Sequence, residues 1–235
     1  MNLYLEILFK PLFNALIVIY NAVPGHDLGL TIIVITLVIR IILYPLNRRA
    51  IISQKAVQKI QPQIEELKEK YKDDREKLGT AMMELYKKEK VNPFASCLPV
   101  LIQIPILIAL FQVFRSGLNG NSFNLLYHGV ANPGHLQTLA FGFFDLAKRS
   151  IPLAVLAGLA QYWQTRMLMS RNDKKGSMQS AMNKQMLYLM PVMTIIFGLQ
   201  LPGGLVLYWL VNTLLTIAQQ YLTFKHHDTK LNPMS

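Results

Sequence analysis

The stretch Leu28-Gly-Leu-Thr-Ile-Ile-Val-Ile-Thr-Leu-Val-Ile-Arg40-Ile-Ile-Leu-Tyr-Pro-Leu46 decides how this chain is read. Without Arg40 it is a membrane span, since about 20 mostly apolar residues cross a hydrocarbon core of about 30 Å. A guanidinium inside such a run costs about 2.5–3.5 kcal/mol on insertion scales. Arginine stays protonated, so it does not escape that cost by losing charge. A water-filled, protein-lined space relieves it, which makes Arg40 a candidate site residue. The competing reading is snorkelling: the span ends six residues later, about 9 Å at 1.5 Å per residue, and a long side chain covers part of that distance.

Outward from this stretch, the 235 residues are 52% hydrophobic and carry a net charge of +11. The basic excess falls between apolar runs, where the positive-inside rule puts it, and traces no nucleic-acid-binding motif. Cys97 is the only cysteine, which excludes an intrachain disulfide and a paired-cysteine metal site. There is no phosphate loop, zinc-protease motif or nucleophile elbow. His26, His128, His135, His226 and His227 are scattered. No enzyme chemistry, cofactor or metal is expected.

Five runs qualify as spans: Leu28–Leu46, Phe94–Phe114, Ile151–Met169, Gln185–Leu201 and Leu205–Phe224. Pro202-Gly-Gly204 breaks the last two into an antiparallel pair. Residues 1–27 have an apolar face (Leu3, Ile7, Phe13, Leu16, Ile17, Tyr20) interrupted by Glu6, Lys10, Pro11 and Asn14. This fits an external amphipathic helix on the membrane surface, with a sixth span as the alternative. Segment 47–92 carries twelve Lys and Arg, and more follow at Arg171, Lys174 and Lys175. Fewer basic residues (Lys10, Arg115, Lys148, Arg149) lie on the other side, so the N-terminus is placed outside and the C-terminus inside. In 47–92, Ile60, Ile64, Leu67 and Tyr71, then Leu78, Met82 and Leu85, mark the seam of a charged helical hairpin. That hairpin is either an inert solvated element or a docking site. The expected organisation is thus 1–27 external helix, 28–46 first span, 47–92 cytoplasmic hairpin, 93–224 spans two to five with their loops, and 225–235 a short cytoplasmic tail. The external loop 115–150 shows no repeat and receives no role.

Polar side chains accompany Arg40 in the spans: Thr36 one turn before it, Gln103 and Gln112, Gln161 and Gln164, and Asn212, Thr213, Thr216 and Gln219 after Tyr208-Trp209. Each alone fits helix–helix hydrogen bonding, and Tyr208 and Trp209 fit interface anchors. Together they surround a lone cation with no intramembrane acid, whereas a proton pump or ion-coupled transporter uses such acids. An uncompensated cation suits an acidic or polar guest.

The pattern resembles the YidC/Oxa/Alb family of membrane protein insertases. The resemblance rests on Thr31–Leu46 around Arg40, on Gln61-Pro-Gln-Ile-Glu-Glu-Leu-Lys-Glu-Lys-Tyr71, and on Asn92-Pro-Phe-Ala-Ser-Cys-Leu-Pro99-Val-Leu-Ile-Gln-Ile-Pro105. It also rests on Leu156-Ala-Gly158, Gln164-Thr-Arg-Met167 and Gly204-Leu-Val-Leu-Tyr-Trp209. It implies an all-α integral membrane protein: five transmembrane helices around a hydrophilic groove open to the cytoplasm, with a cytoplasmic helical hairpin. It implies Arg40 as the groove arginine, with Gln164 and Trp209 as groove positions. Tyr208 is grouped with Trp209, and helical placement adds Thr36, Gln103 and Asn212. Implied partners are nascent membrane proteins and the bilayer, with the Sec translocon and the ribosome as further candidates. The chain departs from larger bacterial members in lacking an external domain and a lipoprotein-type signal. Its tail after Phe224 is short, which argues against ribosome docking through a long basic extension. The resemblance implies a compact form in the bacterial plasma (inner) membrane. The rival readings are a transporter or channel for an anionic solute, and an assembly factor that holds membrane helices without moving them.

Overall fold

The computed structural model describes residues 5–92, 98–114, 122–169 and 178–231. Cys97, Arg115, Arg171, Lys174 and Lys175 lie outside the described residues. Within them the regular structure is almost all α-helix: α1 (Lys10–Ala22), α2 (Leu28–Ile42), α3 (Tyr44–Lys59), α4 (Gln61–Lys70), α5 (Arg75–Lys88), α6 (Leu98–Gln112), α7 (Ile151–Met167), α8 (Met178–Gly198) and α9 (Gly203–Leu231). One small antiparallel hairpin pairs β1 (Leu139–Ala140) with β2 (Phe144–Asp145).

Helix α2 starts where Asp27 caps it, its carboxylate accepting the Leu30 N–H at 2.9 Å. Such a cap is worth about 1 kcal/mol. The helix stops at Ile42, short of the expected Leu46. Pro45 is the reason: it has no N–H to give, and its ring collides with the carbonyl four residues back. The chain bends by 72° and restarts as α3 with Pro45 in its first turn. Arg40 therefore sits in the last turn of α2, beside an elbow.

The main core joins α1, α2, α6, α7 and α9 through residues such as Phe13, Ile17, Ile32, Leu110, Ala157 and Leu205. Helices α7 and α8 approach closely because glycine lines their seam. A Cβ on Gly158 would lie 2.4 Å from the Ile195 side chain. At the α8–α9 turn, a Cβ on Gly204 would lie 2.3 Å from the Phe114 ring.

Residues 122–150 close one end of the bundle. Their backbone bonds go to α1 side chains: Asn14 donates to the Leu125 carbonyl at 3.1 Å and accepts from the Tyr127 N–H at 2.7 Å. The Tyr20 hydroxyl accepts the Gln137 N–H at 2.8 Å. The Lys148 and Leu146 carbonyls take the N–H groups of Gly203 and Gly204 at 2.8 and 2.9 Å, satisfying donors that a helix start leaves unpaired. The β-hairpin turns through Phe141 (φ 53°) and Gly142 (φ 79°), both left-handed as a type I′ turn requires.

The hairpin α4–α5 has its own small cluster of Ile60, Ile64 and Leu85, flanked by Leu67, Met82, Tyr86 and Val91. Pro62 stands in the first turn of α4, and Asp74 caps α5 by accepting the Lys77 N–H at 3.0 Å. Tyr71 and Leu78, expected in the seam, are outside this cluster.

The bundle wears apolar residues on its outside. Ile41, Ile42, Leu101, Leu159, Trp163, Tyr188 and Tyr221 are all exposed. Contiguous apolar surface of this kind marks a membrane or partner interface. Among the described residues, Gly203–Lys225 is the one helix that is alone long and apolar enough to cross a bilayer. The bent pair α2–α3 adds a second when counted as one, and Gln103–Gln112 and Gln185–Gly198 are shorter apolar segments. Proline at Pro45 divides the first expected span, and α7 has 17 residues, the lower limit of about 17 for a crossing.

Candidate functional site

A cavity of about 360 Å³, with an apolar wall that includes Ile39, Leu43, Ile104 and Leu107 and a cluster of polar side chains, opens between α2, α3, α6, α7 and α9. Water occupies about 30 Å³ per molecule in the liquid, so the space holds roughly a dozen. Arg40 reaches it from α2, Gln103 from α6, and Gln161 and Gln164 from α7. Tyr208, Trp209, Asn212, Thr213, Thr216 and Gln220 line it from α9. Six of the seven residues singled out from the sequence thus meet in one space. Thr36 does not: it is buried and its hydroxyl donates to the Ile32 carbonyl, one turn deeper in the core.

Helix α9 makes the site because its polar residues recur every three to four positions. Asn212, Thr216 and Gln219 form one stripe and Thr213 and Gln220 its neighbour, as a period of about 3.6 requires. The stripe receives the guanidinium. Arg40 Nε donates to Asn212 Oδ1 at 2.9 Å, and Nη2 donates to the Asn212 carbonyl at 2.8 Å and to the Thr216 hydroxyl. Nη1 donates to Gln219 Oε1 at the long distance of 3.5 Å. These four bonds use four of the five guanidinium hydrogens. Every acceptor is neutral. Among the described residues, no carboxylate lines the cavity.

The network runs on to α6. Asn212 Nδ2 donates to Gln103 Oε1 at 3.3 Å, and Gln103 Nε2 donates to the Tyr208 hydroxyl oxygen at 2.6 Å. At the elbow, Gln219 Nε2 donates to the Tyr44 carbonyl at 3.3 Å, so the bend and the site share a residue. Full hydrogen bonding is how a buried polar group avoids the desolvation penalty. Gln220 differs: it is 1% exposed, and its Oε1 has no partner among the described residues. An unmade hydrogen bond at a buried acceptor costs about 1–3 kcal/mol.

Several lining residues were not singled out from sequence. Asn47, Ile51 and Gln54 come from α3, which sequence reading assigned to the cytoplasmic hairpin. The usable signal was Asn47, Ala50, Ile51 and Gln54, spaced on one helical face. Thr216 and Gln219 were visible as polar residues in an apolar run, but their grip on Arg40 required the tertiary pairing of α2 with α9. Gln220 had the same visibility through its spacing from Thr213 and Thr216.

The family model of the 60Kd inner membrane protein matches residues 18–230. A membrane protein insertase YidC of Fusobacterium nucleatum is 36% identical over 199 residues, 85% of this chain and 87% of that protein. The membrane protein insertase MisCA of Bacillus subtilis is 36% identical over 226 residues, 94% of this chain and 78% of that protein. The YidC of Geobacter sulfurreducens is 37% identical over 220 residues, 93% of this chain and 37% of that protein. The chain therefore spans most of the shorter relatives and little more than a third of the longer one. With the match running through α2, the cavity helices and α9, the chain belongs to the 60Kd inner membrane protein family, whose relatives include the insertases YidC and MisCA.

Proposed function

We propose that this protein receives hydrophobic nascent chains at the Arg40 cavity and releases them into the bilayer. In this reading α2, α6, α7, α8 and α9 are five spans, and the cavity is a groove open to the cytoplasm. The N-terminal segment 1–27, with α1, lies on the outer face, the hairpin within 47–92 and the tail 225–235 lie in the cytoplasm, and residues 93–224 form the remaining spans and loops. Its setting is a bacterial inner membrane.

The observation that carries the proposal is a cation whose acceptors among the described residues are all neutral, in a cavity that none of their carboxylates lines, inside a bundle whose exterior is apolar. A guest carboxylate supplies what the cavity lacks. At 4 Å and an effective dielectric near 20 the pair gains about 4 kcal/mol before desolvation. The weakest present contact, to Gln219 at 3.5 Å, is the one most readily exchanged. Transfer of the guest's apolar segment into lipid provides the net drive. The membrane potential adds about 2.3 kcal/mol per charge per 100 mV for an acidic tail moving outward. Gln103, Gln164, Tyr208, Trp209 and Asn212 solvate the polar backbone of the guest while it waits. No bond of the guest is made or broken, and the family's work is insertion, not enzyme catalysis. The Sec translocon and the ribosome stand as further candidate partners.

The test is insertion of a short-tailed, single-span substrate into vesicles containing only this protein. Arg40→Ala is expected to lower insertion about tenfold, and Arg40→Lys to retain more, because a point charge replaces some of the fork's bonds. Equal full activity of both folded variants removes Arg40 from the mechanism.

A further inference from the structure

The β-hairpin at 139–145 leaves Leu139 (50% exposed) and Phe143 (69%) uncovered, while Phe141 (37%) lays part of its ring against Gly29 of α2. Its other face is spent on the bundle. Ala140 is fully buried against α2, where a Cβ on Gly29 would lie 2.7 Å from the Ala140 Cβ and 2.8 Å from the Phe141 ring. Asp27 fixes the attachment with both oxygens, one capping α2 at Leu30 and the other accepting the Phe141 N–H at 2.6 Å. The tip is therefore rigidly seated, and its exposed rings are not the result of a loose loop. Phe143 also stacks obliquely on Phe144, with ring centroids 4.5 Å apart.

The position of this patch identifies its occupant. It abuts the first turn of α2, whose outward residues Leu30, Val34, Leu37, Val38 and Ile41 are all exposed and apolar. Ala140 and Phe141 seat the hairpin on Gly29, next to Leu30 at the start of that stripe. Its second strand leads to Lys148 and Arg149, then to Ser150, which caps α7, and to Ile151, which begins the exposed apolar stripe of that helix. Lys148 is tied to Asp145 at 3.1 Å, while Arg149 is exposed. Aromatic and aliphatic side chains beside cations, at the level where apolar helices begin, match the boundary between acyl chains and headgroups. A water-facing role leaves this apolar surface unexplained.

We infer that the hairpin tip is a lipid anchor: Leu139 and Phe143 enter the acyl–headgroup boundary, Phe141 braces them on α2, and Arg149 meets lipid phosphate. It holds the start of α2 at a fixed depth, and Arg40 three turns below with it. The inference rests on the reading of α2 and α7 as spans.

The experiment places an environment-sensitive fluorophore on the full chain through Phe143→Cys in a Cys97→Ser background. The protein is reconstituted in phosphatidylcholine vesicles with and without phosphatidylglycerol. Nitroxides are carried either near the lipid headgroup or near the chain end, and iodide serves as the aqueous quencher. The expected result is severalfold stronger quenching by the shallow nitroxide than by the deep one, with little quenching by iodide. Quenching by iodide alone overturns the anchor, and quenching by none of the three shows a covering protein surface and overturns it equally. A probe at Leu159→Cys is the control: strong deep-nitroxide quenching there with none at position 143 sinks the anchor and keeps α7 as a span. Loss of lipid quenching at both positions sinks the span reading itself. Phosphatidylglycerol is expected to strengthen shallow quenching in the parent and not in an Arg149→Gln variant. An equal response in both removes Arg149 from the contact.

Discussion

The two halves of α9 are built on opposite principles. From Leu205 to Leu207 the helix is buried among apolar partners, with Gly204 pressed on the Phe114 ring and the loop carbonyls of Leu146 and Lys148 closing its start. From Asn212 to Thr223 only one face is covered, by Thr213, Gln219, Gln220 and Thr223, while Leu214, Tyr221 and Leu222 are exposed. The first stretch is buried all round and apolar; the second is buried on one face, and that face is polar. One half gains stability from close packing; the other holds polar groups whose burial costs free energy unless each is paired.

That contrast gives an order of expected effects. The largest comes from Gly204→Leu, which drives a side chain into Phe114 and is expected to cost about 3 kcal/mol, read as a lower unfolding midpoint in detergent. Arg40→Met acts on the other half and should separate stability from function. The substitution removes a desolvated cation but leaves acceptors on Asn212, Thr216 and Gln219 unpaired; these effects oppose each other, so the midpoint is expected to shift by no more than about 1 kcal/mol. Insertion is expected to drop about tenfold, equivalent to about 1.4 kcal/mol. A parallel fall in both quantities would merge the two halves into one structural unit. Asn212→Leu removes the acceptor for Arg40 Nε and the link to Gln103, leaving the cation in place; insertion is expected to fall by a smaller factor, about threefold, or about 0.65 kcal/mol.

The smallest effect is a pH dependence at the dry end. Slight burial raises the Asp145 carboxyl, but Lys148 and the hydrogen bonds from Thr138 and Ala147 outweigh it and hold it below the ordinary carboxylate range. A folded value below the unfolded one stabilises the protein above the unfolded value of about 3.9, and that contribution is lost as pH falls through the folded value. Melting midpoints are therefore expected to dip slightly more in the parent than in Asp145→Asn below about pH 4.

Sequence made Arg40 legible because a charge in an apolar run has few ways to survive. Asn212 and Gln103 were legible for a weaker reason, as amides in apolar helices. Thr36 shows the limit. It shares a helical face with Arg40 one turn away, yet the border between dry and polar interior passes between them. No periodicity marks that border; it is set by which residues of α6 and α9 lie opposite. The α3 wall was hidden because Pro45 reads as the end of a span, and a helix that bends by 72° and continues along the bundle looks like the start of a soluble segment. Loop 122–150 was illegible because its shape depends on Asn14, Tyr20 and Asp27, more than a hundred positions away.

A guanidinium only donates. Asn212 must therefore turn its oxygen to Arg40 and its nitrogen to Gln103, and Gln103 in turn must face Tyr208 with its own nitrogen. The direction set at one residue passes unchanged across three helices. The phenol at its far end receives a hydrogen bond, so its own proton is left to point elsewhere. A single fixed charge thus decides which way every dipole in the chain is aimed, and a substitution at position 40 rewrites the polarity of groups that never touch it.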